Sequence, residues 1–106
     1  NNPVYASIGT FVVNLQDGKY FLKTTIHLAF ENAAALAWLN TRMPLVKDVI
    51  ISHLQTLSAR DLKQSLNRHL LKKDLLLKIN SFYPNQPGWE DRNPVKRFLF
   101  QEFYVQ

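Results

Sequence analysis

From Val4 to Leu15 the chain is rich in Val, Ile, Phe and Tyr, and Phe11, Val13 and Leu15 alternate with Val12 and Asn14, the two-residue period of a strand. Asp17-Gly18 follows, a pair suited to the positive φ angles of a tight turn. Tyr20, Leu22, Thr24, Ile26, Leu28 and Phe30 then take every second position, with Lys23, Thr25 and His27 on the opposite face. The pattern predicts an N-terminal β-hairpin whose long second strand is half-buried.

Asn32 precedes Ala33-Ala34-Ala35-Leu36-Ala37-Trp38-Leu39, where its side chain can accept an orphan N–H at the start of a helix. Pro44 suits the first turn of a second helix, whose apolar stripe is Val46, Val49, Ile50, Leu54 and Leu57. Ser58-Ala-Arg-Asp61 interrupts that pattern, leaving a short turn or strand over 57–62. A third helix is predicted over about 66–82. At 100° per residue Leu71, Leu75, Ile79 and Phe82 form one stripe, and Leu66, Leu70 and Leu77 a second on the far side. A helix apolar on two faces is either sandwiched within its own domain or packs one face on a partner.

Pro84-Asn-Gln-Pro-Gly88 and Asn93-Pro94 bracket a loop carrying Trp89, Glu90, Asp91 and Arg92. The chain closes on a strand over 95–106, with Leu99, Phe103 and Val105 assigned to one face and Phe98, Phe100 and Tyr104 to the other. The order β-β-α-α-α-β predicts an α+β domain: an N-terminal hairpin, two or three helices packed over a small sheet, and a C-terminal strand. With 106 residues, 46% hydrophobic and 20% charged, residues 1–106 fit one globular domain with a modest core.

Charge adds a constraint on partners. Thirteen Lys+Arg against 8 Asp+Glu give +5, which favours anionic partners. Arg60, Lys63, Arg68, Lys72, Lys73, Lys78, Arg92, Lys96 and Arg97 are interspersed with Leu and Asp, the pattern of a solvated basic surface. A nucleic-acid-binding domain, which would cluster such residues on one face, is the alternative. No stretch approaches the roughly 20 apolar residues of a membrane span, and no signal peptide is evident. The opening Asn1-Asn2-Pro3 lies directly against the first strand, which reads as a piece of a longer protein.

Catalytic and metal chemistry find little to work with. The chain has no cysteine, which removes thiolate ligands and nucleophiles. His27, His53 and His69 lack i, i+3 or i+4 spacing, so no metal site is expected, and His53 reads as a satisfied, partly buried side chain. Asp74 and Lys78 form an i, i+4 pair on the third helix. No pair of carboxylates is placed for acid–base work, no G-x-S-x-G elbow occurs, and the three glycines are too dispersed to cradle phosphate. Neither an enzyme nor a cofactor is expected. Trp38, on the Ala-rich helix, reads as core; Trp89, in a polar loop, either anchors a partner or packs onto its own sheet.

Four segments resemble the FliL family along nearly the whole chain. They are Phe11-Val12-Val13-Asn14-Leu15 with Tyr20-Phe21-Leu22-Lys23; Arg42 to Ile51, continuing to Asp61-Leu62; Leu71 to Leu76 with Ile79-Asn80; and the closing Phe98 to Gln106. Asn67 stands where the family usually has a glycine before the third helix, and the 82–94 loop is longer than the family's usual link. The resemblance implies a fold of the stomatin/SPFH type and an upstream inner-membrane helix. It also implies a periplasmic domain that joins homo-oligomeric rings around the flagellar stator and supports motility through protein contacts. An SPFH-like membrane scaffold outside the flagellum is a rival. Leu66, Leu70, Leu77, Phe98, Phe100 and Tyr104 are the candidate self-association residues, because both elements carry two apolar faces; Trp89 and Arg92 mark the candidate partner-binding loop.

Overall fold

The computed structural model describes residues 2–85 and 87–106; Asn1 of the opening and Gln86 of the 84–94 loop lie outside them. Strand β1 (Val4–Asn14) is followed by β2 (Phe21–Phe30), α1 (Ala33–Asn40), α2 (Met43–Leu54), α3 (Ala59–Leu62), α4 (Ser65–Asn80) and β3 (Val95–Val105). The strands form an antiparallel sheet in the order β1-β2-β3, so β2 is central. The α+β reading holds, with a fourth, one-turn helix where the sequence left 57–62 as a turn or strand. Ser58 explains it: its hydroxyl accepts the Asp61 N–H at 3.1 Å, an N-cap that gathers the four residues into one turn.

The alternation in β2 is realised in its burial. Leu22, Ile26, Leu28 and Phe30 are fully buried with Thr24 on one face, and each large apolar side chain there contributes about 1.5–3 kcal/mol. The helices cover that face. At the hairpin, Gly18 takes φ 72 while Asp17 does not share the left-handed region. Asp17 instead accepts the Ala59 N–H at 3.3 Å, and Gln16 N–H donates to the Leu57 carbonyl at 2.8 Å. The turn is therefore tied to the α2–α3 link.

The helix starts follow their sequence signals. Asn32 accepts the Ala35 N–H at 2.9 Å, and Pro44 sits in the first turn of α2, where its missing N–H costs nothing. Val46, Ile50 and Leu54 of α2 and Leu71, Leu75 and Ile79 of α4 are buried. They join the inner residues of the sheet in one apolar cluster.

The faces of β3 differ from the alternation expected. Leu28 is paired with Phe98 and Ile26 with Phe100, but the register then shifts between Lys23 and Thr25, so that Lys23 meets Tyr104 and Leu22 meets Val105. Glu102, at φ 50, marks the extra residue of a β-bulge. The bulge brings Phe98, Phe100, Phe103 and Val105 to the inner face, with successive ring centroids 5.2 and 5.0 Å apart along Phe98–Phe100–Phe103. Tyr104 and Leu99 go to the outer face. At the same irregularity the buried Thr24 hydroxyl donates to the Gln101 carbonyl at 3.2 Å.

Asn80, the last residue of α4, is 5% exposed. Its side-chain amide donates to the Val95 carbonyl at 2.9 Å and its amide oxygen accepts the Val95 N–H at 2.9 Å. This joins the end of α4 to the first residue of β3. Asn80→Ala leaves both Val95 groups without partners in an apolar setting. It should lower unfolding free energy by about 2–4 kcal/mol, read as a lower urea midpoint; a loss below about 0.5 kcal/mol, the range of ordinary surface changes, would show that the pair is dispensable.

Candidate interaction surfaces

Helix α4 presents four sides, each fixed by the 3.6-residue period. Leu71, Leu75 and Ile79 face the core. Leu66, Leu70 and Leu77 lie opposite, 65%, 46% and 62% exposed, so of the two fates read from the sequence this stripe is not sandwiched in its own core. Asn67, Asp74 and Lys78 turn towards α2, and Arg68, His69, Lys72 and Leu76 towards β3.

The remaining candidates are divided by the sheet. Tyr104 is exposed on the outer face with Tyr5 and Val12, a face without helical cover. Phe98 is buried, because its partner in the ladder is the fully buried Leu28, and Phe100 is half-buried. Leu66, Leu70, Leu77 and Tyr104 are therefore available for contact, and Phe98 is not.

Trp89 is also taken inward, packing on its own domain rather than standing as a surface anchor. It is 8% exposed, with its ring centroid 5.1 Å from Tyr83 and 6.0 Å from Trp38 in edge-on geometry, a favoured aromatic arrangement. The Tyr83 hydroxyl donates to the Ala35 carbonyl at 2.7 Å, and burial raises its pKa. The Arg42 guanidinium lies 3.9 Å from the Trp38 ring centroid. Polar bonds hold the backbone of the loop: Glu31 accepts the Glu90 and Asp91 N–H groups at 2.7 and 3.0 Å, and Asn32 donates to the Gly88 carbonyl at 2.9 Å. Asp91 accepts from Lys96 and from the Asn93 N–H, which holds its carboxyl below its ordinary pKa. Arg92 stays exposed.

The basic residues are less dispersed than their order suggests. Two adjoining hollows of about 450 and 390 Å3 run along the seam between α4 and β3. Arg68, Lys72 and Lys73 line one side, Lys96 and Arg97 the other, and none of the described residues that line them is a carboxylate. The i, i+4 spacing of Arg68 and Lys72 was the available signal; nothing in the sequence brought Lys96 and Arg97 beside them.

His53 is half-buried at the α2–α4 contact. Burial lowers its pKa most, Lys78 adds to that, and Asp74 opposes it. Among the described residues Asp74 and Lys78 do not close to within 4 Å, the ion pair being Lys96–Asp91; both instead act on His53. The described residues hold no cluster of three or more His, Cys, Asp or Glu side chains able to bind a metal ion, and no helix among them is long and apolar enough to cross a membrane.

The family described as flagellar basal body-associated protein FliL matches residues 5–106, and the chain belongs to that family. No curated protein matches it. Membership associates the chain with the flagellar basal body, in an accessory rather than an enzymatic family.

Two outcomes follow from these contacts. His53 titrates lower in the folded chain than its ordinary 6.5, so on acidification the unfolded chain takes up the proton first. Stability should be level above pH 6.5, fall as pH drops through 6.5 towards the folded value, and level off below it; His53→Gln should remove that segment of the thermal-stability profile. Glu31→Ala should speed hydrogen exchange at the Glu90 and Asp91 amides by about tenfold or more while leaving the β2 amides protected.

Proposed function

We propose that this FliL-family chain is a periplasmic scaffold of the flagellar motor, tethered to the inner membrane, that assembles into a ring around the stator and supports torque through protein–protein contacts. The observation that carries the reading is the stripe of Leu66, Leu70 and Leu77, exposed on the side of α4 away from its own core, in a chain whose family belongs to the flagellar basal body. Monomeric proteins rarely leave such a row without use.

A ring requires a heterologous contact, in which two different patches of each subunit meet. The α4 stripe supplies one. The outer sheet face around Tyr104 supplies the other, with Val12 on the same face across Lys23 of the central strand. Arg92, at the surface of the loop, is a candidate for contact with the stator. Tethering to a membrane raises the effective concentration of neighbouring copies, so the contact can be weak in the isolated domain and still close a ring.

Leu70→Asp tests the assignment. The side chain is exposed, so the variant should unfold within about 0.5 kcal/mol of the native domain. In the membrane-anchored protein it should disperse the assembly and slow swimming in soft agar with filaments still present. An intact assembly with a folded domain would remove the α4 stripe from the interface. Loss of filaments on deleting the gene would point instead to a role in building the flagellum.

A further inference from the structure

The groove between α4 and β3 is separate from the α4 stripe, and its two sides differ in kind. Arg68, Lys72 and Lys73 form a basic wall, and the four consecutive residues 96–99 of β3 form the other side. Four consecutive residues can line a hollow only if the strand turns its edge to it, because alternate side chains point to opposite faces. Beyond Val95, whose main chain Asn80 binds, that edge has no partner strand among the described residues: β3 is bonded to β2 on one side and is terminal in the sheet. Phe100 and Phe103 lie half-buried at the same seam, with Lys72 Nζ 5.9 Å from the Phe100 ring centroid.

We propose that this groove binds an extended, acidic polypeptide segment of a partner protein, which adds to β3 as a fourth strand. The free N–H and C=O groups of the edge supply the main-chain bonds of β-augmentation. In an added strand every second side chain faces α4. Carboxylates at those positions meet Arg68, Lys72 and Lys73, while the intervening side chains run beside Arg97 and Leu99. Lys96 is held by Asp91; the other four cations have no carboxylate within 4 Å among the described residues, so an acidic segment supplies the missing counter-charge.

Other occupants fit less well. A second copy pairing through the same edge would set Lys96 and Arg97 against their own equivalents, the like-charge arrangement by which edge strands resist self-pairing. A bilayer surface is flat and leaves the strand's amides without a ladder. A nucleic acid would want exposed rings on which to stack bases, and both phenylalanines here are half-buried. The inference does not depend on the ring or on the stator.

The test uses the folded chain and a fluorescein-labelled peptide of alternating Glu and Val, titrated by anisotropy. Binding should weaken between about 50 and 200 mM salt as the charges are screened. The amides of residues 97–103 should shift in NMR spectra and gain exchange protection. The double variant Lys72→Glu, Lys73→Glu should lose about tenfold or more in affinity and gain binding to the matching Lys–Val peptide. That exchange of preference also shows that the variant is folded. Equal binding of a fully N-methylated Glu–Val peptide would overturn the strand-addition geometry. Absence of peptide binding at low salt would overturn the site. So would tighter binding of phosphatidylglycerol vesicles or single-stranded DNA through Lys72 and Lys73, or self-association that protects the 97–103 amides.

Discussion

Asn80 exchanges two hydrogen bonds with the backbone of Val95 at the buried junction of α4 and β3. The amide does there what a neighbouring strand would do, offering one donor and one acceptor to a residue at the start of a ladder. Val95 pairs with Phe30 on its other side, so the clamp aligns α4, β3 and the central strand at one point. The Pro-containing segment between Asn80 and Val95 is thereby closed at its two ends. The side of α4 that faces β3, and the groove between them, depend on this alignment.

A second set of contacts fixes the loop that the clamp spans. Glu31 and Asn32 stand at the β2–α1 corner and bind the loop backbone, while Tyr83 and Trp38 receive Trp89 from below. Every buried side-chain nitrogen and oxygen among the described residues has a partner, so these polar groups carry little desolvation penalty. The loop is therefore a packed part of the domain, with Arg92 left at its surface.

The functional picture is one of surfaces rather than a cleft. The row of leucines on α4, the open face of the sheet and the basic seam beside β3 point in different directions. Surfaces set apart in this way can be occupied without competing. Such an arrangement suits an accessory protein of the flagellar basal body.

Much of this was written in local pattern. The period of two in Leu22–Phe30, the Asn32 cap, Pro44 in a first turn and the two stripes of α4 are short-range properties, set by side-chain direction and by which backbone groups a helix end leaves unpaired. They identified the α+β order and left Leu66, Leu70 and Leu77 without a core to join. Tertiary structure decided the rest, for a reason common to each case. The bulge at Glu102 inverts the expected face of Phe103 and Val105 because one left-handed residue shifts a register that sequence alternation assumes to be unbroken. Trp89 is buried because Tyr83 and Trp38, distant in the chain, meet it. Lys96 and Arg97 join Arg68, Lys72 and Lys73 because β3, paired with β2 and clamped by Asn80, runs alongside α4. Alternation and capping act over a few residues and can be read in order. Pairing register, aromatic clustering and the summation of charge act across long separations, and they exist only once the chain has closed on itself.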